Sequence, residues 1–161
     1  MIIFINGSIN SGKSTVSKIL QERIPNTALV ELDSIRAFVD WLPTNEAIPI
    51  VHDAGIEIIK SFVKNDLNII IPYPLLRKSY DKFVKNLDKN NTKIYAFTLS
   101  PKLEKAITNR GTRKLDKKEV DRIHYHYSIG INNPGYGETI DNSEQSPEET
   151  ANEILELIKK T

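Results

Sequence analysis

A chain of 161 residues is about the size of one domain, long enough for a proper core and too short for a separate substrate domain, so a single unit over 1–161 is expected. The 22 Lys and Arg nearly cancel the 21 Asp and Glu, which excludes an overall field able to hold a nucleic acid or an anionic membrane by charge alone and favours small-molecule partners. The absence of cysteine excludes disulfides, thiolate metal sites and thiol nucleophiles, and a cytoplasmic location is the expectation.

The apolar opening Met1 to Ile5 stops at Asn6 and Gly7, too short for a signal-peptide core or a membrane span. Ile2-Ile3-Phe4-Ile5 instead reads as a strand buried on both faces of a parallel sheet. Similar runs follow at Thr27 to Leu32, Leu67 to Ile71 and Lys93 to Leu99, with a weaker one at Tyr136 to Ile140. Between them the apolar residues take helical spacing: Val16, Leu20 and Ile24; then Ile56, Ile59 and Val63; then Tyr80, Phe83, Val84 and Leu87. This alternation predicts an α/β fold of five parallel strands joined by helical crossovers, in three layers. The last helix is the best delimited, since Ser146-Pro147-Glu148-Glu149 offers an N-cap serine, a first-turn proline and a capping-box glutamate ahead of Ile154, Leu155 and Ile158.

From Asn109 to Asn133 the chain is polar, with Arg110, Arg113, Lys114, Lys117, Lys118 and Arg122 and few apolar positions. Two readings stand: a segment of about 110–133 lying over a site, or a solvated helical hairpin.

Gly7-Ser8-Ile9-Asn10-Ser11-Gly12-Lys13-Ser14 fits G-x-x-x-x-G-K-[ST] without departure, between a predicted strand and a predicted helix. In such a loop Gly7 and Gly12 allow dihedrals that turn successive amides inward, and the helix presents its positive end to the same phosphates. Ser8, Asn10 and Ser11 belong to the same cradle. Lys13 is then expected to reach the β- and γ-phosphates of ATP and the Ser14 hydroxyl to bind Mg2+, with Thr15 beside it.

The second constellation is Glu31-Leu32-Asp33, at the end of the second predicted strand. In an extended chain residues two apart project to one side, so both carboxylates would face the crevice at the strand's carboxyl end. Asp33 is expected to accept the proton of an attacking hydroxyl and Glu31 to support the metal; the alternative for Asp33 is a helix cap. Arg36, one turn on, could clamp an anionic substrate group or pair with Asp33 or Asp40.

With these motifs the chain resembles the small P-loop kinases: shikimate kinase, gluconate kinase, chloramphenicol phosphotransferase and the tunicamycin-resistance type. Glu31-Leu32-Asp33 resembles the acid-x-acid ending strand two in shikimate kinases, and Asp33-Ser34-Ile35-Arg36 the D-x-x-R of polynucleotide-kinase-like members. Phe97-Thr98-Leu99-Ser100-Pro101, followed by Arg110 and Arg113, is similar to strand four and the opening of a lid, and Thr139 to Ser143 with Ser146 to Glu149 is similar to strand five and the last helix. The resemblance implies a P-loop NTPase fold of strand order 2-3-1-4-5 with a mobile lid, Arg110 near adenine and Arg113 stabilising the transferring phosphoryl group. One departure matters: many relatives carry an acid at the end of strand three, whereas Ile71-Pro72-Tyr73-Pro74 has none. The two prolines would stiffen a substrate-side loop lined by Tyr73 and Arg77.

His124 and His126 lie two apart, which on a helix points them to different faces and argues against a shared metal. Trp41 is expected to be a core residue. The resulting expectation is ATP-dependent transfer of the γ-phosphate to a hydroxylated small molecule; the alternatives are a nucleoside or nucleotide kinase and a non-catalytic ATP-binding regulator.

Overall fold

The structure is a computed structural model and describes residues 1–87, 92–109 and 114–160. Five strands, β1 (Ile2–Gly7), β2 (Thr27–Leu29), β3 (Asn68–Pro72), β4 (Ile94–Leu99) and β5 (Glu138–Ile140), form one sheet of order β2-β3-β1-β4-β5. Every pairing in it is parallel, with Ile3 opposite Ile70 on one side of β1 and Tyr95 on the other. β1 is therefore central, and its carboxyl end opens where the order reverses, which is where an open α/β sheet leaves a crevice.

Successive side chains of a strand leave opposite faces, and the two halves of the core follow from that alternation. Ile2 and Phe4 join Ile69 and Ile71 beneath helices α3 (Thr44–Lys64) and α4 (Arg77–Leu87), which contribute Val51, Ile56, Ile59, Phe83 and Leu87. Ile3 and Ile5 join Ile70, Phe97 and Leu99 on the other face, where α1 (Lys13–Arg23) and α7 (Pro147–Lys159) supply Val16, Leu20, Ala151 and Ile154. The three-layer α/β/α expectation and the strand order hold. Helix α7 begins at the expected place, with Ser146 Oγ accepting from Glu149 N and the Glu149 carboxylate accepting from Ser146 N. No helix among the described residues is long and apolar enough to cross a membrane.

Strand two is shorter than its apolar run. It ends at Leu29, Val30 N still donates to Ile70 O at 2.9 Å, and Glu31 then becomes the N-cap of α2 (Leu32–Arg36). The cause is tertiary. Leu32 is fully buried against Gly55 of α3, where a Cβ would lie 2.5 Å from Leu32 Cδ2, so the chain turns inward at a glycine notch instead of extending. Past α2 a 3-10 turn at Ala37–Val39 carries the chain away from the sheet, and Trp41 is 74% exposed, not core. Between β4 and β5 lie α5 (Leu103–Ala106) and α6 (Lys117–Ser128), the latter opened by an Asp116/Glu119 capping box.

Candidate active site

The β1 to α1 junction is a tight loop in which Ser11 N donates to Ser8 O at 3.3 Å. Asn10 (φ 62°) and Gly12 (φ 95°) take left-handed backbone, and Gly12 caps α1 without any side-chain hydrogen bond to its first turn. Helices α6 and α7 satisfy their first-turn amides with capping boxes; α1 leaves them uncapped by side chains and carries no acid in its first turn. Uncapped amides at the positive end of a helix dipole favour an anion. Lys13 Nζ donates to Ser8 O at 2.6 Å, which folds the ammonium over the same loop. The loop is also braced from outside: Asn10 Nδ2 donates to Ala106 O and to Thr108 O at 2.8 Å each, and Asn142 Nδ2 to Ser11 O at 2.9 Å.

An open cleft of about 890 Å3 runs over this junction. Asn10, Gly12, Lys13, Ser14 and Thr15 line it, together with Asp33, Tyr73 and the two prolines Pro72 and Pro74. Asn6 is wholly buried and donates through Nδ2 to Thr98 Oγ1 and Ile131 O and accepts from Leu75 N, tying the segment after β3 to β1. Gly7, Ser8 and Ser11 lie buried beneath the loop, with the Ser8 side chain turned toward α6.

Glu31 and Asp33 do not share one side, because they sit on a helix cap and in a first turn, not on a strand. Asp33 lines the cleft and Glu31 does not. Arg36 is spent on structure: its guanidinium donates to Val39 O, to Asp40 O at 3.4 Å and to Leu42 O at 2.7 Å, closing the loop behind α2. Arg77 likewise pairs with Asp81 (Nε to Oδ1, 3.0 Å) and donates to Gly135 O at 2.6 Å, outside the cleft. Arg110 and Arg113 lie outside the described residues. For Mg2+, the groups on the cleft wall that fit are the Ser14 hydroxyl and the Asp33 carboxylate, both oxygen donors of the kind that cation takes.

Sequence reasoning missed Arg122, His126, Asn142 and Gln145, all of which line the cleft. His124 is exposed and His126 buried, as their spacing on a helix requires. Burial, with Arg122 and Lys13 nearby, pushes the His126 imidazole down to about 4. Burial also pushes His52 down to about 4, helped by Lys82 and opposed by Asp53, where the ring meets Tyr73 and Phe83 edge-on. The Tyr73 hydroxyl is raised by burial and then by Asp33, and so stays a donor.

These two histidines contribute to the acid sensitivity of the fold. An unfolded histidine titrates near 6.5, so below that pH the unfolded chain binds protons that the folded chain refuses. The stability from their neutral burial is complete above about 6.5 and lost as pH falls toward 4. Urea midpoints should therefore drop between pH 7 and pH 5, and less so in His52→Gln; equal midpoints at the two pH values in the wild type would contradict this account.

The fold has close counterparts. The chain aligns with the tunicamycin resistance protein of Deinococcus radiodurans at 19% identity and TM-score 0.64, over 98% of this chain and 94% of that one. It aligns with APS kinase from Mycobacterium tuberculosis, solved in complex with AMPPNP and APS, at 15% identity and TM-score 0.71, over 98% and 96%. This is the P-loop kinase fold. Shikimate kinase from Acinetobacter baumannii, in complex with shikimate, shares that fold at 14% identity and TM-score 0.69, over 99% and 93%. No protein-family model and no curated protein matches the chain. At these identities it is the P-loop kinase fold that is shared, and the chemistry rests on the residues of this chain.

Proposed function

We propose that the chain is an ATP-dependent phosphotransferase that moves the γ-phosphate onto a hydroxyl of a small molecule. The observation that carries the reading is that one cleft is lined by the uncapped N-terminus of α1, by Lys13 and by a carboxylate, Asp33. The loop amides and Lys13 would hold the phosphates, Ser14 with Asp33 would support Mg2+, and Asp33 would take the proton of the attacking hydroxyl. The bound metal supplies charge neutralisation at the phosphates. Tyr73, with Pro72 and Pro74, forms a firm wall for the acceptor. Structures of the same fold bound to AMPPNP with APS, and to shikimate, support a nucleotide and a small acceptor here.

The test is an ADP-release screen with ATP and Mg2+ against hydroxylated metabolites, nucleosides and antibiotics. One acceptor that stimulates ADP formation identifies the substrate class; a base-dependent series among nucleosides moves the reading to a nucleoside kinase. Tight ATP binding without turnover for any acceptor replaces it with a nucleotide-binding regulator, to which the acid-free end of β3 would be suited. With the acceptor in hand, Asp33→Asn should lower turnover by about a hundredfold or more, the loss expected of a missing general base, while AMPPNP binding measured without Mg2+ is kept. An unchanged rate would remove Asp33 from the chemistry.

A further inference from the structure

We propose that His126 is a positioning residue that couples the phosphate loop to Arg122 and so holds the Arg122 guanidinium toward the terminal phosphate; the inference rests on the phosphotransferase reading above. Two hydrogen bonds carry it. His126 Nδ1 lies 3.2 Å from Ser8 Oγ, and Arg122 Nε lies 3.3 Å from His126 Nε2. Ser8 and His126 are 1% and 6% exposed, so water does not substitute for either contact.

The chemistry of the groups fixes the direction of the chain. A guanidinium can only donate, so Nε2 must accept from it. A neutral imidazole has one N–H, which leaves Nδ1 as the donor to Ser8 Oγ. Burial, Arg122 and Lys13 all oppose protonation of the ring, which keeps the accepting lone pair in place. Arg122 and His126 are one turn apart on α6 and share a face, so the imidazole can brace the guanidinium without straining the helix.

Arg122 is free for this task. Among the described residues it forms no salt bridge, and it lines the same cleft as Gly12, Lys13 and Ser14. The bond through Nε leaves both terminal NH2 groups for phosphate oxygens, the planar fork that suits phosphate. Helix α6 is itself held by its capping box and by the Tyr127 hydroxyl on Pro101 O. A cation braced in this way needs little reorganisation when charge gathers on the transferring group.

The test compares the binding of AMPPNP and ADP, each with Mg2+, by calorimetry on the full chain. Arg122→Ala and His126→Asn should each weaken AMPPNP by about tenfold, the scale of one charge-assisted contact, with ADP little changed. Asparagine reaches the Nδ1 position and keeps the Ser8 contact while losing Arg122. Glutamine reaches the Nε2 position, so His126→Gln should retain most AMPPNP affinity. In the Arg122→Ala background, His126→Asn should add no further loss, because the histidine acts through the arginine. Nitrogen shifts of the wild-type ring should report the Nδ1–H tautomer. Equal weakening of both nucleotides, additive losses, or an Nε2–H ring would overturn the inference. A wild type that binds neither nucleotide would instead remove the phosphotransferase reading, and Arg122's role with it; normal wild-type binding with unmoved variants removes the inference alone.

Discussion

Replacing Lys13 with alanine should lower acceptor-dependent ADP production by at least about a hundredfold, the loss seen when one preorganised donor to developing charge is removed. In the structure the ammonium lies on Ser8 O at 2.6 Å, at the mouth of a loop whose other donors are neutral amides. A ligand carrying several negative charges offers this ammonium a stronger partner than a carbonyl, so the Ser8 contact should be exchanged for phosphate oxygens. The fold should survive the change. Lys13 is half-buried at the first position of α1, where alanine is a better helix former, and the core beneath it is built from Val16 and Leu20. A matched melting temperature with collapsed turnover is therefore the expected pair of results. Full turnover in Lys13→Ala would place the chemistry elsewhere in the molecule.

The second large effect is on folding. Gly7→Ala should cost roughly 2–5 kcal/mol, from left-handed backbone plus overpacking, a large part of the margin of a domain this size. Gly7 has φ 141°, and a Cβ there would lie 2.5 Å from Leu99 O and 2.5 Å from Ser11 Oγ. The carbonyl belongs to β4 in register with Gly7 and cannot retreat without breaking the central ladder. Gly135→Ala is the control. It also carries positive φ, 72°, but nothing lies within 4 Å of the added atom, so the cost should stay near 1 kcal/mol. Urea denaturation of the two variants measures the difference. Equal losses would mean that backbone conformation alone, not the close approach to β4, makes glycine necessary at position 7.

Much of the fold is legible because it is local or periodic. The continuous apolar runs at Ile2 and Ile69 can satisfy their surface only in a two-sided sheet, and the Ser146-Pro147-Glu148-Glu149 cap works through contacts three residues apart. The loop motif is legible for the same reason, since Gly12 sets the left-handed cap of α1 and Lys13 follows it at the first helical position. The strand-two carboxylates were misread because periodicity cannot see Gly55: that notch, more than twenty residues along, draws Leu32 inward and turns Glu31 and Asp33 onto different sides. Arg36 and Arg77 illustrate the same limit. Each looks free as a cation in the sequence, and each meets its acceptors only through a turn of the chain, at Leu42 O and Gly135 O.

Backbone dihedrals and spacing within a few residues set the strand and helix alternation, the glycine-bounded loop before α1 and the delimited last helix. Only the packing of whole elements settles which carboxylate reaches the cleft, which arginines are consumed by carbonyls, and that His126 meets Ser8 across 118 residues of chain with Arg122 bonded behind it. A side chain's partner at that separation depends on where whole elements come to rest, and the packing that places them is a sum over the entire core.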